Sequence, residues 1–391
     1  MLSFREEIPI TKDLIYFDNA STSLMPKTVL DAMNEYELTA RANVGRGIHR
    51  LSQISSQIFW DAHEKTKAFI GGEDGLCVFG KNCTEAINKV AYGMSLKKGD
   101  HVITTLLEHH SNILPWIELR NNGVLVDFIT PDQDGYLKPE AFEALICKNT
   151  RLITFTHVSN VLGTVQPVET ICSLAHDYEI KTLVDGAQSV PHIPVDVSET
   201  GCDYYSFSSH KMLGPMGIGV LWMKEPDLKP MIIGGGSITK VSADGYALEE
   251  GYAGYEAGTP NVTGAIGLRA AIRILSDLKM DNVRGHETKL TDKLVDGLSG
   301  IDGIRVFGPT GNERRVGVVS FLINDLHPHD TAHHLDDQFD IMVRSGDHCC
   351  MPLMTHLGLP DGTVRASLYL YNTDEEVDIF LSAVRELSEG I

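Results

Sequence analysis

Residues 202–222 read CDYYSFSSHKMLGPMGIGVLW, and the way this stretch folds sets the architecture of the chain around it. Two apolar runs, 204–207 and 218–222, are short and bounded by turn residues, the pattern of buried strands. Between them a turn of Ser208, Ser209 and His210 delivers Lys211, and a glycine-rich return follows. Lys211 is therefore expected at a strand end, inside a pocket. Desolvation there lowers an amine's pKa and favours the neutral form that condenses with an aldehyde. Taken alone, the segment also fits a lysine that snorkels out of a loop.

Upstream, apolar runs alternate with polar loops and helices. Strands are predicted at 15–17, 76–79, 102–104 and 125–129, and again within RLITFTHVSNVLGT (151–164) and IKTLVDGAQSV (180–190). Helical spacing covers 27–41, a stretch from Gln53 that Gly71-Gly72 stops, and 169–178. This alternation is that of a mostly parallel sheet with helical crossovers, whose ligands bind beyond the carboxyl ends of the strands. His109, Asn160, Asp185, Gln188, Ser208, His210 and Lys211 all end such runs and are expected to converge on one cleft. Asp185 lies 26 residues before Lys211 with one strand–helix step between; an aspartate before glycine is also a common turn residue. Cys83 and Thr84 open a helix after strand 76–79. Their backbone N–H groups suit a phosphate, and a simple helix cap uses the same residues. The Gly-, Arg- and His-rich stretch 42–52 is expected to be a loop.

Downstream, the glycine- and tyrosine-rich region up to EAGTPN (256–261) reads as loops or a hairpin. A long helix from about 263 then leads into a smaller α+β domain. Its strands are predicted at 316–321, 341–344 and 365–369, with a closing helix from Glu375. The expected division is a large domain over 15–265 and a small one over 1–14 and 266–391.

The chain has 391 residues, 42% hydrophobic and 22% charged, an ordinary globular composition long enough for two domains. A formal net charge of -20 argues against nucleic-acid or anionic-membrane partners. No signal peptide or membrane span is read, and seven cysteines without a CxxC pair suit a reducing, cytoplasmic setting. His327, His329, His333 and His334 cluster, but Pro328-His329-Asp330 reads as a helix start, and no metal is expected.

A pocket lysine, a buried carboxylate, an anion cradle and a flat ring neighbour are together what pyridoxal 5'-phosphate requires. At this point FDNAST (17–22), CTEAIN (83–88), EHHSN (108–112), THVSNVLGT (156–164), VDGAQSV (184–190), SSHKMLGPMGIGVL (208–221), EAGTPN (256–261), VRSGDHCCMPLM (343–354) and RASLYLYNT (365–373) can be taken together. In this order, over nearly the whole chain, they resemble the class V aminotransferase family, and more narrowly the cysteine desulfurases of the SufS type (group II). The resemblance implies the type I fold of pyridoxal-phosphate transferases: a large domain with a mostly parallel seven-stranded sheet between helices, plus the smaller α+β domain. It implies Lys211 as the Schiff-base lysine and Asp185 as partner of the ring nitrogen, with His109 stacked on the ring and shuttling protons. Asn160 and Gln188 would contact the phenolic oxygen, while Cys83, Thr84, Ser208 and His210 lie about the phosphate. Thr259 would reach the phosphate of a second subunit, which implies a homodimer with shared active sites.

The substrate so implied is L-cysteine, held by Arg365 through its carboxylate, with Asn160 and Arg344 nearby. Its sulfur would pass to Cys349 as a persulfide, alanine would leave, and a sulfur-acceptor protein would follow. Selenocysteine lyase and a transaminase acting on a small amino acid are the alternatives on the same scaffold. Two departures stand out. Asp347 precedes His348-Cys349 where relatives carry a histidine, and an acid near a thiolate is expected to raise its pKa. A second thiol, Cys350, follows directly and is expected to be a packed bystander.

Overall fold

A computed structural model describes residues 2–45, 47–311 and 314–390; Met1, Arg46 in the 42–52 loop, Asn312, Glu313 and Ile391 lie outside the described residues. The large body is built on seven strands: β1 (Leu76–Gly80), β2 (His101–Thr105), β3 (Leu125–Ile129), β4 (Thr150–Thr156), β5 (Lys181–Asp185), β6 (Tyr204–Ser208) and β7 (Gly219–Met223). They lie in the order β1-β7-β6-β5-β4-β2-β3. Only β7 runs against the rest, antiparallel to both β1 and β6.

Successive side chains of each strand face opposite ways, and both faces are covered. Ile103, Ile153, Val184 and Tyr205 enter one core, while their neighbours Val102, Leu152, Leu183 and Tyr204 enter the core on the other side. Such double burial is why these strands read as continuous apolar runs. Gly219 is required by close approach: a Cβ there would stand 2.4 Å from the backbone of Asn82, which turns the chain from β1 into the helix Cys83–Gly93.

Helix Val262–Leu278, expected to lead out of the large domain, packs onto its core beside helices Lys27–Thr39 and Arg50–Phe69. The chain crosses over at Lys279, with φ of 65°, and continues as Met280–Ser299. The second body is a four-stranded antiparallel sheet, in the order Ile304–Phe307, Val318–Ile323, Thr363–Ser367, Arg344–Gly346. Helices Met280–Ser299 and Asp374–Glu389 pack on it. Ile15 and Phe17 belong to this second core, so the first strand of the chain adds to the small body.

Three small-body strands depart from their predicted bounds for one reason, a change of partner. The single strand expected over 341–344 is two: Ile341–Met342 pairs with Ile15–Tyr16, and Arg344–Gly346 pairs with Thr363–Ser367. The 316–321 strand begins at Val318 because Val316 donates its N–H to Gly163 O at 2.9 Å. The 365–369 strand ends at Ser367 because the Asn372 side chain captures the Tyr369 amide at 2.8 Å. The hairpin is present as Ile238–Ser242 with Gly245–Leu248. His327 caps helix Pro328–Phe339, its Nδ1 accepting the His329 amide at 3.2 Å. Among the described residues no helix is long and apolar enough to cross a membrane.

Candidate active site

The carboxyl ends of β1, β4, β5 and β6 open on a cavity of about 170 Å³, lined among others by Cys83, Thr84, His109, Asn160, Asp185, Gln188, Ser208, His210, Lys211, Arg344 and Arg365. Pairing sets Thr156, Asp185 and Ser206 side by side at that edge. Asp185 Oδ1 accepts the Ala187 amide at 2.9 Å and the Cys83 thiol at 3.3 Å. Burial pushes this carboxyl upward, and the Ala187 amide and the Lys211 charge draw it back. Lys211 completes the short turn Ser209–Lys211 after β6. Burial lowers its pKa, Asp185 opposes the shift, and among the described residues its amine has no hydrogen-bond partner.

His109 Nδ1 accepts the Ser111 amide at 3.1 Å. Burial first, and the Lys211 charge second, hold the ring down to about 3. It is a neutral imidazole whose proton sits on Nε2. Gln188 donates from Nε2 to Ala20 O at 2.7 Å, while its Oε1 is buried without a partner, as is His210 Nδ1. Cys83 differs from expectation. Its amide donates to Ser208 Oγ at 2.8 Å and its thiol turns to Asp185, so Thr84, with its hydroxyl 2.7 Å from Ser111 Oγ, is the member of the pair that presents a side-chain oxygen there.

The small body supplies the other wall. Arg365 is fully buried; it donates to Asn160 O at 2.9 Å, Ser21 Oγ at 2.8 Å and Asp18 Oδ1 at 3.1 Å, and its Nε has no partner. Desolvation lowers this guanidinium to about 10, against the pull of Asp18. Arg344 shares Ser21 at 3.2 Å and donates to the Cys349 sulfur at 3.2 Å.

Cys349 and His348 both take left-handed backbone, φ 58° and 50°, a conformation that costs about 1–3 kcal/mol per non-glycine residue and persists only when its surroundings enforce it. The enforcing contacts come from three sides. Asp347 Oδ1 accepts the Cys349 amide at 3.1 Å, the His110 amide donates to Cys349 O at 2.7 Å, and Asn160 Nδ2 donates to His348 O at 2.9 Å. Asp347, expected to crowd a thiolate, thus spends an oxygen on the backbone of the loop. Cys350 is packed as expected: it is fully buried, its S–H donates to Glu108 O at 3.0 Å, and burial pushes its thiol well up. Thr259 stands outside this cavity and lines another with Lys81, Gly217 and Asn261.

Asp18, Ser21 and Ser111 were not among the expected site residues. FDNAST and EHHSN carried them, but the first motif reaches the cavity through long-range contacts, among them the bridge between Asp18 and Ser367 and the hydrogen bonds of Ala20 with Gln188 and of Ser21 with Arg365.

His157, under the cavity, is held down to about 4 by burial alone, with Nδ1 2.8 Å from the Tyr205 hydroxyl. A folded pKa below the unfolded value of about 6.5 means stability that is present above pH 6.5 and lost as pH falls through 4. Between pH 6.5 and 5 the wild type is expected to lose about 1–2 kcal/mol from this group. His157→Gln should lack that part of the slope when melting temperatures are compared at fixed protein concentration; parallel curves would refute it.

The class-V aminotransferase family model matches residues 15–380. A protein of Methanothermobacter thermautotrophicus named probable cysteine desulfurase is 43% identical over 390 residues, covering 98% of this chain and 97% of its own. One of Haloferax volcanii named cysteine desulfurase is 41% identical over 383 residues, 96% and 89% of the two chains. Among solved structures, an apo cysteine desulfurase from Thermococcus onnurineus superposes with a TM-score of 0.96 at 43% identity, over 100% of this chain and 98% of that one. The cysteine desulfurase CsdA of Escherichia coli gives 0.90 at 31% identity, with coverage of 100% and 98%.

Proposed function

The chain belongs to the class-V aminotransferase family, and on that footing we propose that it is a pyridoxal 5'-phosphate-dependent cysteine desulfurase, turning L-cysteine into L-alanine and leaving the sulfur as a persulfide on Cys349. The names of the relatives support the activity. The observation that carries the assignment of residues is Arg344, whose guanidinium lines the same cavity as Lys211 and Asp185 and touches the Cys349 sulfur.

The cavity fits the cofactor by its unsatisfied groups. Among the described residues, Lys211 offers an amine without a partner, Gln188 Oε1 and His210 Nδ1 are buried and unpaired, and Asp185 has one of its oxygens bonded by the protein. Lys211 would take the aldehyde, Asp185 the ring nitrogen, His109 the ring face, and Thr84, Ser208 and His210 the phosphate. Bound there, the cofactor supplies an electron-withdrawing ring that makes the substrate's α-proton and carbon–sulfur bond labile.

The chain's own residues do the rest. Arg365 has three of its five N–H donors engaged by protein oxygens, two of them on Nη2, which leaves the Nε–H and one Nη1–H as donors for a substrate carboxylate. Lys211 Nζ, neutral once desolvated, accepts and returns the α-proton. The Cys349 sulfur bonds to the substrate sulfur as the substrate's C–S bond breaks, and the carbon left behind takes up a proton. L-Cysteine and one thiol thus become L-alanine and one persulfide, with no outside oxidant.

The SufS type, a homodimer, a sulfur-acceptor protein and a cytoplasmic setting belong to the same proposal. Leu38 and Ile48, 85% and 95% exposed, and the place of Thr259 outside its own cavity support the dimer.

Cofactor-loaded protein given L-cysteine and a thiol reductant should release L-alanine and sulfide in equal amounts; sustained absence of alanine would overturn the proposal. Arg365→Lys keeps the charge and loses the planar, pre-set donors, so kcat/KM for L-cysteine should fall about 10- to 100-fold, chiefly through KM. An unchanged KM would remove Arg365 from substrate binding.

A further inference from the structure

Arg344 and Arg365 are register partners on the antiparallel strands Arg344–Gly346 and Thr363–Ser367, and residues directly opposite each other in such a pair project from the same face of the sheet. Like charges so placed repel. Arg365 feels this: burial lowers its pKa, Asp18 raises it, and Arg344 lowers it again. Among the described residues the contact of Arg365 with Asp18, at 3.1 Å, is the only ion pair that either guanidinium makes.

One hydroxyl ties the two together. Ser21, half-buried and lining the cavity, donates from Oγ to Asp18 Oδ1 at 2.7 Å and accepts from Arg365 Nη2 at 2.8 Å and from Arg344 Nη1 at 3.2 Å. A hydroxyl has one donor and two acceptor sites, so this one is fully used. Among the described residues the only other side-chain partner of Arg344 is the Cys349 sulfur, 3.2 Å from Nη2.

We propose that Ser21 is a positioning residue, an inference that rests on the desulfurase reading: it fixes the anchor of the substrate carboxylate, Arg365, relative to the holder of the attacking sulfur, Arg344. The bonds of L-cysteine set how far its sulfur stands from its carboxylate. Anchor and nucleophile must therefore keep a matching separation for the two sulfurs to meet. Strand register fixes only the two backbones, while long arginine side chains keep several freely rotating bonds. A shared oxygen removes that freedom from both at once. Without it Arg344, which has no carboxylate of its own, is driven off its charged cross-strand neighbour and away from the Cys349 sulfur.

Cofactor-loaded wild type and Ser21→Ala are compared in two ways. With L-cysteine and a thiol reductant, KM should rise at least about fivefold, because Arg365 loses one of its three contacts with protein oxygens. Without substrate or reductant, alkylation of Cys349 by iodoacetamide at pH 7, followed by peptide mass spectrometry, should slow at least about threefold, since a guanidinium that leaves the sulfur no longer favours its thiolate. Exposed Cys147, in the turn entering β4, should react equally fast in both proteins, which separates the effect from a loosened fold. Changes in both KM and Cys349 alkylation support the bridge. A change in only one of them, in neither, or to the same extent at Cys147 overturns it. Should Ser21→Ala fail to fold, Ser21→Gly removes the same hydroxyl and is judged by the same criteria. A wild type that forms no alanine refutes the desulfurase reading instead, and the alkylation comparison then still decides whether Ser21 holds Arg344 on the sulfur.

Discussion

Cys349→Ser is expected to abolish L-alanine formation, by roughly 10³-fold or more, while leaving the visible absorption and affinity of the bound cofactor intact. The separation follows from position. The Cys349 sulfur reaches the cavity through Arg344 and is absent from the cavity lining, whereas Lys211, Asp185 and His109 form that lining. A serine hydroxyl can keep the backbone geometry and the Arg344 contact, but it cannot form a sulfur–sulfur bond. Cys350→Ala is the paired control. Cys350 donates to the carbonyls of Leu107 and Glu108 from a fully buried position, so its loss should cost about 1 kcal/mol of stability and little activity. If Cys350→Ala is the inactive variant and Cys349→Ser turns over, the nucleophile is misassigned. Alanine formation at normal rate in Cys349→Ser would move the protein from desulfuration towards another reaction of its family.

Lys211→Ala should remove both activity and colour. Alanine formation should fall by about 10²–10⁴-fold or more, the range for loss of a positioned proton-transfer group, and dialysed protein should lose its visible absorption. The amine is prepared for this role by two opposed effects, desolvation that favours the neutral form and Asp185 that favours the cation. Among the described residues no protein acceptor competes for it. Cofactor retained through dialysis at wild-type level would show that the phosphate and ring contacts suffice, and Lys211 would then have no part in holding the aldehyde.

Much of the large body was legible because its signals are local. Short apolar runs closed by Gly, Ser or Asp mark β5, β6 and β7, and chemistry placed at the ends of β4, β5 and β6 converges once those three are parallel neighbours. The resemblance to the class V aminotransferases also rests on contiguous motifs. The small body was less legible. Residues 341–346 serve two different sheets with a break at Val343, and nothing local distinguishes that from one strand. The direction of a side chain was hidden as well: Cys83 begins its helix as read, yet its thiol faces Asp185 across the sheet edge.

By itself the sequence determined the order of the large body's strands, the two-part architecture, the lysine at the end of β6 and the family. The tertiary structure decided that Ser21 and Asp18 hold two arginines together, that Cys349 faces Arg344 while Cys350 is packed, and that Thr259 lies outside its own cavity. Periodicity and turn chemistry act within a few residues and can be read from a string. Contacts such as that between Ser21 and Arg365, 344 residues apart, exist only after both bodies have closed on each other, because hydrogen bonding and burial depend on which surfaces meet.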